Sequence, residues 1–210
     1  MFKSFFDPEG PFATAVNRIG TLILLNVLWL LCSVPVFTLG ASTTALYTVL
    51  LRILAGEESH VTLQFFKAFG ENFQRATGIW MILLAAMGLF FFDLYYAGCT
   101  GSFWWRLLAV FGLQIVAMEL TFVFPLLARY ENNWRAHMRN AAVLAVTHLP
   151  KMLLIWLIWA VPVAGCIWIS EVFYALLGVW LLIGFAGLSY VTALFIKPIF
   201  DQMENSGKKS

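Results

Sequence analysis

Five long runs of apolar residues divide the chain, and most polar residues lie in the segments between them. The runs cover about 19–39, 77–97, 103–128, 151–169 and 172–196. Each run is long enough to cross a hydrocarbon core of about 30 Å as a helix of about 20 residues. The pattern therefore predicts an all-α fold, a polytopic bundle of transmembrane helices.

Two of the connections between these runs are very short, and two are long. The short ones are "GCTGS" at 98–102 and "SE" at 170–171, and such connections make the flanking helices antiparallel neighbours. The long ones, 55–76 and 129–150, have amphipathic patterns. We expect them to lie at the membrane surface on the cytoplasmic side.

The segment 41–55 decides the topology. Its apolar part is only about 14 residues, or about 21 Å as a helix. If it crosses, both termini and both long connections share one side with every Lys and Arg except Arg106. The positive-inside rule then favours six spans arranged as three hairpins, with both termini in the cytoplasm. A short re-entrant segment, shielded by protein, is the alternative.

The stretch "SVPVFTLGAS" links the first two predicted helices and holds four candidate site residues. Pro35 is expected to kink or end the first helix. Gly40 would give the outer turn its backbone freedom, and Ser42 or Thr43 would cap the returning helix. If the protein is a transporter, an interrupted helix here would offer backbone dipoles to a substrate.

Composition supports a membrane protein. Of the 210 residues, 61% are hydrophobic and 11% are charged, against about 45–50% and 25% in soluble domains. Such a chain cannot cover its apolar residues with polar surface, so the lipid bilayer is its solvent and 1–210 is a single membrane domain. No block of Lys or Arg points to nucleic acid.

Asp93 and Arg106 are charged residues inside predicted spans, on either side of the short connection 98–102. Each lies about six or seven residues into its helix, so the two side chains should have a similar depth. A salt bridge between them would reduce the cost of placing both charges in the membrane. We expect a structural ion pair that clamps this hairpin.

Glu119 is a carboxyl group within a span that has no basic residue at its depth in the same hairpin. Because a charged carboxylate is costly there, we expect it to be protonated at neutral pH. Asn26 in the first run has a comparable depth and is the predicted hydrogen-bond partner. The pair would either join helices or, in a transporter, serve substrate binding and proton coupling.

The sequence shows no recognisable catalytic or metal-binding constellation. The three histidines lie on the predicted cytoplasmic connections without a metal-ligand spacing, and the odd number of cysteines, three, fits no zinc motif. No nucleotide-binding or nucleophile motif occurs. We therefore expect no metal, no cofactor and no enzymatic activity.

The segment "NRIGTLILLNVLWLLCSVPVFTLGASTTALY", 17–47, resembles the start of the YesL-like bacterial integral membrane proteins. The later "FFKAFGENFQRATGIW" and "ARYENNWRAHMRNAAVLAVTHLPK" are similar to the two long connections of that family, so the resemblance covers nearly the whole chain. It implies a bacterial inner-membrane protein of five or six helices, in a family whose domain has no established activity.

Members of this family are often encoded beside carbohydrate ABC-transport and two-component sensor genes. The resemblance therefore implies an accessory or regulatory partner of a carbohydrate ABC uptake system, contacting a sugar permease or a membrane sensor kinase. Arg135 and Arg139 on the second long connection are the predicted docking residues. The alternative is a small autonomous transporter or channel, acting as a homo-oligomer.

Overall fold

The computed structural model describes residues 11–57, 60–168 and 177–207. Within these residues the chain is helical and contains no strand. The helices are α1 (Pro11–Ser33), α2 (Leu39–Ala55), α3 (Val61–Thr100), α4 (Phe103–Arg129), α5 (Trp134–Thr147), α6 (Leu149–Trp168) and α7 (Phe185–Gly207). A 3₁₀ turn at Val36–Thr38 precedes α2, and a π-helical turn at Trp180–Gly184 precedes α7.

Five helical stretches of the described chain are long and apolar enough to cross a membrane: Thr14–Ser33, Val36–Ala55, Val61–Thr100, Phe103–Arg129 and Leu177–Ser206. A sixth arises if α5 and α6, which meet at an angle of 94°, are counted as one broken span. The protein is a multi-pass helical membrane bundle, and the predicted fold class is confirmed.

Helix α2 is the central helix of the bundle. Of its apolar stretch, 72% is buried, against 17% for α1. It packs against α1, α3, α4 and α7. With its 3₁₀ turn it measures 20 residues, so it is longer than the predicted segment 41–55 and has the length of a full span.

The turn before α2 lies earlier in the chain than predicted. Helix α1 ends at Ser33, two residues before Pro35, rather than near 39. The hydroxyl oxygen of Thr38 lies 2.6 Å from the carbonyl oxygen of Pro35 and so stabilises the 3₁₀ turn. Gly40, Ser42 and Thr43 are therefore inside α2, and the prediction that they form or cap the outer turn is wrong.

Helix α3 contains 40 residues. It begins at Val61, within the predicted surface connection 55–76, and continues without a break through the predicted span 77–97. At 1.5 Å per residue it is about 60 Å long, twice the thickness of a hydrocarbon core, so one part must project beyond the membrane. The other predicted long connection, 129–150, does fold as a separate helix, α5. The connection 170–171 and the predicted start of the last span lie outside the described residues.

Ionic contacts join α4 to α7 at one end of the bundle. Nε and Nη2 of Arg129 donate to the two carboxylate oxygens of Glu204, at 3.0 and 3.2 Å. Lys197 lies 3.4 Å from Asp201, which is 3.7 Å from Arg129. We call this end, which carries Arg75, Arg129 and Lys197, the basic end.

Candidate functional site

A cavity of about 300 Å³ lies beside α2, between α3, α4, α6 and α7. We call it the central cavity. Its wall combines aromatic rings with threonine hydroxyls, and no charged side chain of the described chain lines it. The aromatic residues are Tyr47, Trp80, Phe124, Trp156, Trp159 and Phe185, and the threonines are Thr43, Thr121 and Thr192.

Most polar groups of this wall already have partners in the protein. The indole N–H of Trp156 donates to the hydroxyl of Thr121 at 2.8 Å, and that of Trp159 to Thr192 at 3.0 Å. Both threonine hydroxyls in turn donate to a carbonyl oxygen one turn earlier in their own helix. With these donors occupied, the central cavity suits an apolar or aromatic molecule better than one rich in hydroxyls.

Thr43 is the one predicted site residue that lines the central cavity. Its hydroxyl accepts a hydrogen bond from the indole N–H of Trp29 at 3.1 Å. Trp29 is stacked on Phe185, with the ring centroids 3.6 Å apart. Since Phe185 also lines the cavity, these contacts tie α1, α2 and α7 together around it.

Gly40 allows α2 and α3 to approach each other closely. A Cβ atom at this position would lie 2.6 Å from the carbonyl oxygen of Ala76 and 2.6 Å from the Cβ of Trp80. The Trp80 indole donates to the carbonyl oxygen of Val36 at 2.8 Å, across the same contact. Gly40 is thus a packing residue, since any side chain would push the two helices apart.

Asn26 is fully buried and bonds to the π-helical turn before α7. Its amide nitrogen donates to the carbonyl oxygens of Leu181, at 2.8 Å, and Trp180, at 3.3 Å. Its amide oxygen accepts from the backbone N–H of Ala186 at 2.9 Å. The predicted hydrogen bond between Asn26 and Glu119 is not formed, because the backbone of the last helix occupies both ends of the Asn26 amide.

Glu119 lies on α4 with 7% of its surface exposed. Its Oε2 atom is buried and has no hydrogen-bond partner among the described residues. The neighbouring Leu120 and Thr121 line the central cavity, but Glu119 does not. Successive residues of a helix point about 100° apart, so the carboxyl group faces away from the cavity wall.

The predicted ion pair between Asp93 and Arg106 is also not formed. Among the salt bridges of the described chain, none joins these two side chains. Asp93 is half-buried on α3, and Arg106 is exposed on α4. The hairpin is held instead by apolar and aromatic contacts, such as the edge-to-face pair of Tyr96 and Trp105.

Helix α5 presents the two arginines that were predicted to dock a partner. Arg135 and Arg139 are both exposed. The guanidinium carbon of Arg135 lies 5.2 Å from the ring centroid of Trp134, within the range of a cation–π contact. A depression of about 530 Å³ runs along these residues, lined by Asn133, Trp134, Arg135, Ala136 and Arg139.

His137, on the inner side of α5, was not predicted as a site residue. Only 1% of its surface is exposed, and neither ring nitrogen has a hydrogen-bond partner among the described residues. Burial lowers the pKa of the His137 imidazole and the positive charge of Arg75 lowers this pKa further, while the nearby backbone of Asn132 opposes the shift. The ring is therefore neutral at neutral pH.

The tryptophans of the central cavity were also not predicted as site residues from the sequence. A signal was present in "WLIW" at 156–159. Its two tryptophans are three residues apart, so they share a helix face, and they lie deep inside an apolar run. Tryptophan at that depth requires an internal acceptor for its N–H, which here is threonine.

Comparison with family models gives a match over about a third of the chain. Residues 22–94 match the family model described as "Protein of unknown function, DUF624". The match covers α2, most of α1 and most of α3, and it confirms the YesL-like resemblance over these residues. Searches of the curated proteins and of the solved structures each found no match.

Proposed function

We propose that the protein is a non-enzymatic membrane accessory or regulatory protein. Its partner would be the permease or the membrane sensor kinase of a carbohydrate ABC uptake system. The gene neighbourhood of the YesL-like family supports the choice of partner. The distribution of Lys and Arg supports placing the basic end in the cytoplasm of a bacterial inner membrane.

The observation that carries this proposal is the exposed face of α5. Arg135, Arg139 and Trp134 are exposed on a helix that lies at 94° to α6, at the basic end of the bundle. Arginine and tryptophan are the residues most enriched at binding hot spots. Neither arginine makes a salt bridge with another described residue, and Arg135 lies over the Trp134 ring. Two such exposed cations favour a partner surface that carries carboxylates.

Charge reversal tests this docking surface. We expect the double change Arg135→Glu and Arg139→Glu to lower recovery of the partner about tenfold or more, because like charges would then face each other. The measurement is affinity purification from native membranes, with mass spectrometry quantifying the permease subunits and the sensor kinase.

Lys67→Glu is the matched control for charge reversal, because Lys67 is an exposed cation on α3. It should leave partner recovery unchanged. Equal recovery of the permease with the double variant and with wild type would show that α5 is not the docking surface. Absence of any permease or sensor kinase from the wild-type sample would refute the accessory role.

A second candidate function, a small proton-coupled transporter, is favoured by Glu119. A buried carboxyl oxygen without a partner can exchange a proton without breaking an internal bond. We expect proton-driven flux in liposomes that contain only this protein, and Glu119→Gln should reduce it to the level of empty liposomes. Flux would be followed with a pH-sensitive dye inside the vesicles.

Glu71→Gln is the control for this experiment, since Glu71 is exposed and pairs with Lys67 at 3.9 Å. It should transport like wild type. Flux that Glu119→Gln does not change would remove Glu119 from the coupling role, and absence of flux with wild type would count against transport itself.

A further inference from the structure

Asp93 and Arg106 carry opposite charges on the two helices of the α3–α4 hairpin, within its apolar part. Asp93 lies in the apolar run 77–97 and Arg106 in the run 103–128. Neither side chain forms a salt bridge with another residue of the described chain. A charge inside a span costs free energy unless a group of opposite charge pairs with it. Both residues therefore need a counter-ion that the described chain does not supply.

The two charges lie at similar depths. Helix α3 ends at Gly101, and α4 begins two residues later. Asp93 stands eight residues before Gly101 and Arg106 five after it, which places them about 12 Å and about 8 Å from the turn at 1.5 Å per residue. The long arginine stem spans this small difference, whereas the short aspartate side chain cannot reach the headgroups. The counter-ion of Asp93 must therefore approach it within the apolar region.

The two side chains point to opposite sides of the hairpin, so one chain cannot pair them. The facing surfaces of α3 and α4 are marked by the ring of Phe90, which a Cβ atom at Gly112 would contact. Seen from the N-terminus of its own helix, Asp93 is turned about 60° counter-clockwise from Phe90, and Arg106 about 120° clockwise from Gly112. In two antiparallel helices, rotations of opposite sense lead to opposite sides of the plane that contains both axes.

Both sides of this hairpin are exposed in the described chain. On the side of Asp93, Leu89 is 59% exposed and Trp104 75%. On the side of Arg106, Phe91 is 56% exposed. Lipid chains can cover these apolar side chains, but they offer no charge at the depth of Asp93. A second copy of this chain offers apolar surface together with the complementary charge at the matching depth.

We propose that copies of this protein associate through the α3–α4 hairpin, with Asp93 of each copy paired to Arg106 of the next. Copies in one membrane have the same orientation, so the two depths match at every contact. Because acid and base lie on opposite sides of the hairpin, the contact is head-to-tail, and such contacts close into a ring. This inference does not depend on the proposed accessory role.

Co-expression of two charge-reversal variants tests this interface. Asp93→Arg places two cations at each contact and Arg106→Asp two anions, so each variant alone should contain about tenfold less oligomer than wild type. Expressed together with different affinity tags, the two variants should assemble with each other, since each supplies the charge that the other lacks. The measurement is native mass spectrometry of the complexes released from micelles, after purification on one tag and then on the other.

Lys67→Glu is the matched control, because it reverses an exposed charge that lies on α3 outside the hairpin contact. It should form as much oligomer as wild type. The double variant Asp93→Arg with Arg106→Asp should also assemble, because its charges are exchanged and still complementary.

Mutual rescue separates an interface between copies from a role within one chain. If the co-expressed variants assemble no better than each variant alone, the pairing between copies is refuted. Single variants that keep the wild-type oligomer would place the interface on another face. A wild type that is monomeric both in micelles and in cross-linked native membranes would overturn the proposal even if the variants fail to fold.

Discussion

Gly40→Ala is expected to destabilise the bundle by about 2 kcal/mol or more, the cost of overpacking a tight core. The new methyl group would lie 2.6 Å from the Ala76 carbonyl oxygen and from the Trp80 Cβ. Neither atom is at the end of a flexible side chain, so α2 and α3 must separate. Separation would also lengthen the bond from the Trp80 indole to the carbonyl oxygen of Val36, now 2.8 Å.

The measurement is thermal unfolding in detergent, followed by circular dichroism. Gly20→Ala is the matched control, because Gly20 is exposed on α1 and a Cβ there meets no atom within 4 Å. Alanine is a better helix former than glycine, so this variant should unfold at the wild-type temperature or higher. Equal stability of the two variants would mean that α2 does not pack on α3 as closely as described.

Apolar run length predicted most of the fold. The predicted span 103–128 matches α4, Phe103–Arg129, within one residue at its end. Run length could not show that α3 continues through the polar segment before its span. A helix satisfies its own backbone hydrogen bonds in water as well as in lipid, so a change from polar to apolar residues need not end it. The position at which α3 begins, Val61, depends on where the chain reverses direction after α2.

Polar contacts inside the bundle were harder to predict. Position along the sequence gives the depth of a side chain in the membrane, and depth alone pairs Asn26 with Glu119 and Asp93 with Arg106. Counting fixes position along a helix but not the direction of a side chain around its axis, which changes by about 100° per residue. For the same reason, the threonines that accept from Trp156 and Trp159 could not be identified from their positions in the sequence.

The π-helical turn was not predictable, because "WLLIG" contains no proline and a single glycine, Gly184, is tolerated within a regular helix. A π turn misaligns backbone groups that an α-helix would pair, and here the Asn26 amide bonds to the carbonyl oxygen of Leu181 and to the N–H of Ala186. The buried amide of α1 therefore determines the shape of a helix far away in sequence. Since Phe185 follows the turn and lines the central cavity, Asn26 also positions the wall of that cavity.

Asn26→Ala is accordingly expected to cost about 2–4 kcal/mol, because it removes the acceptor of the buried Ala186 N–H and the donor to the carbonyl oxygens of Trp180 and Leu181. Hydrogen–deuterium exchange should rise at the Ala186 amide, and thermal unfolding should shift downward. Asn72→Ala is the matched control, since among the described residues the Asn72 amide bonds to the carbonyl oxygen of Ala68 in its own helix, at 3.0 Å, and to no other helix.

The exchange pattern separates the bond to the π turn from a general loss of packing. If Asn26 holds the π turn, protection is lost first around Trp180–Gly184 and Ala186, while α2 keeps its protection. If all helices lose protection together, Asn26 contributes to overall packing only. Unchanged exchange at Ala186 would contradict the hydrogen bond itself. In the expected case, the aromatic wall of the central cavity depends on one amide group in the first helix.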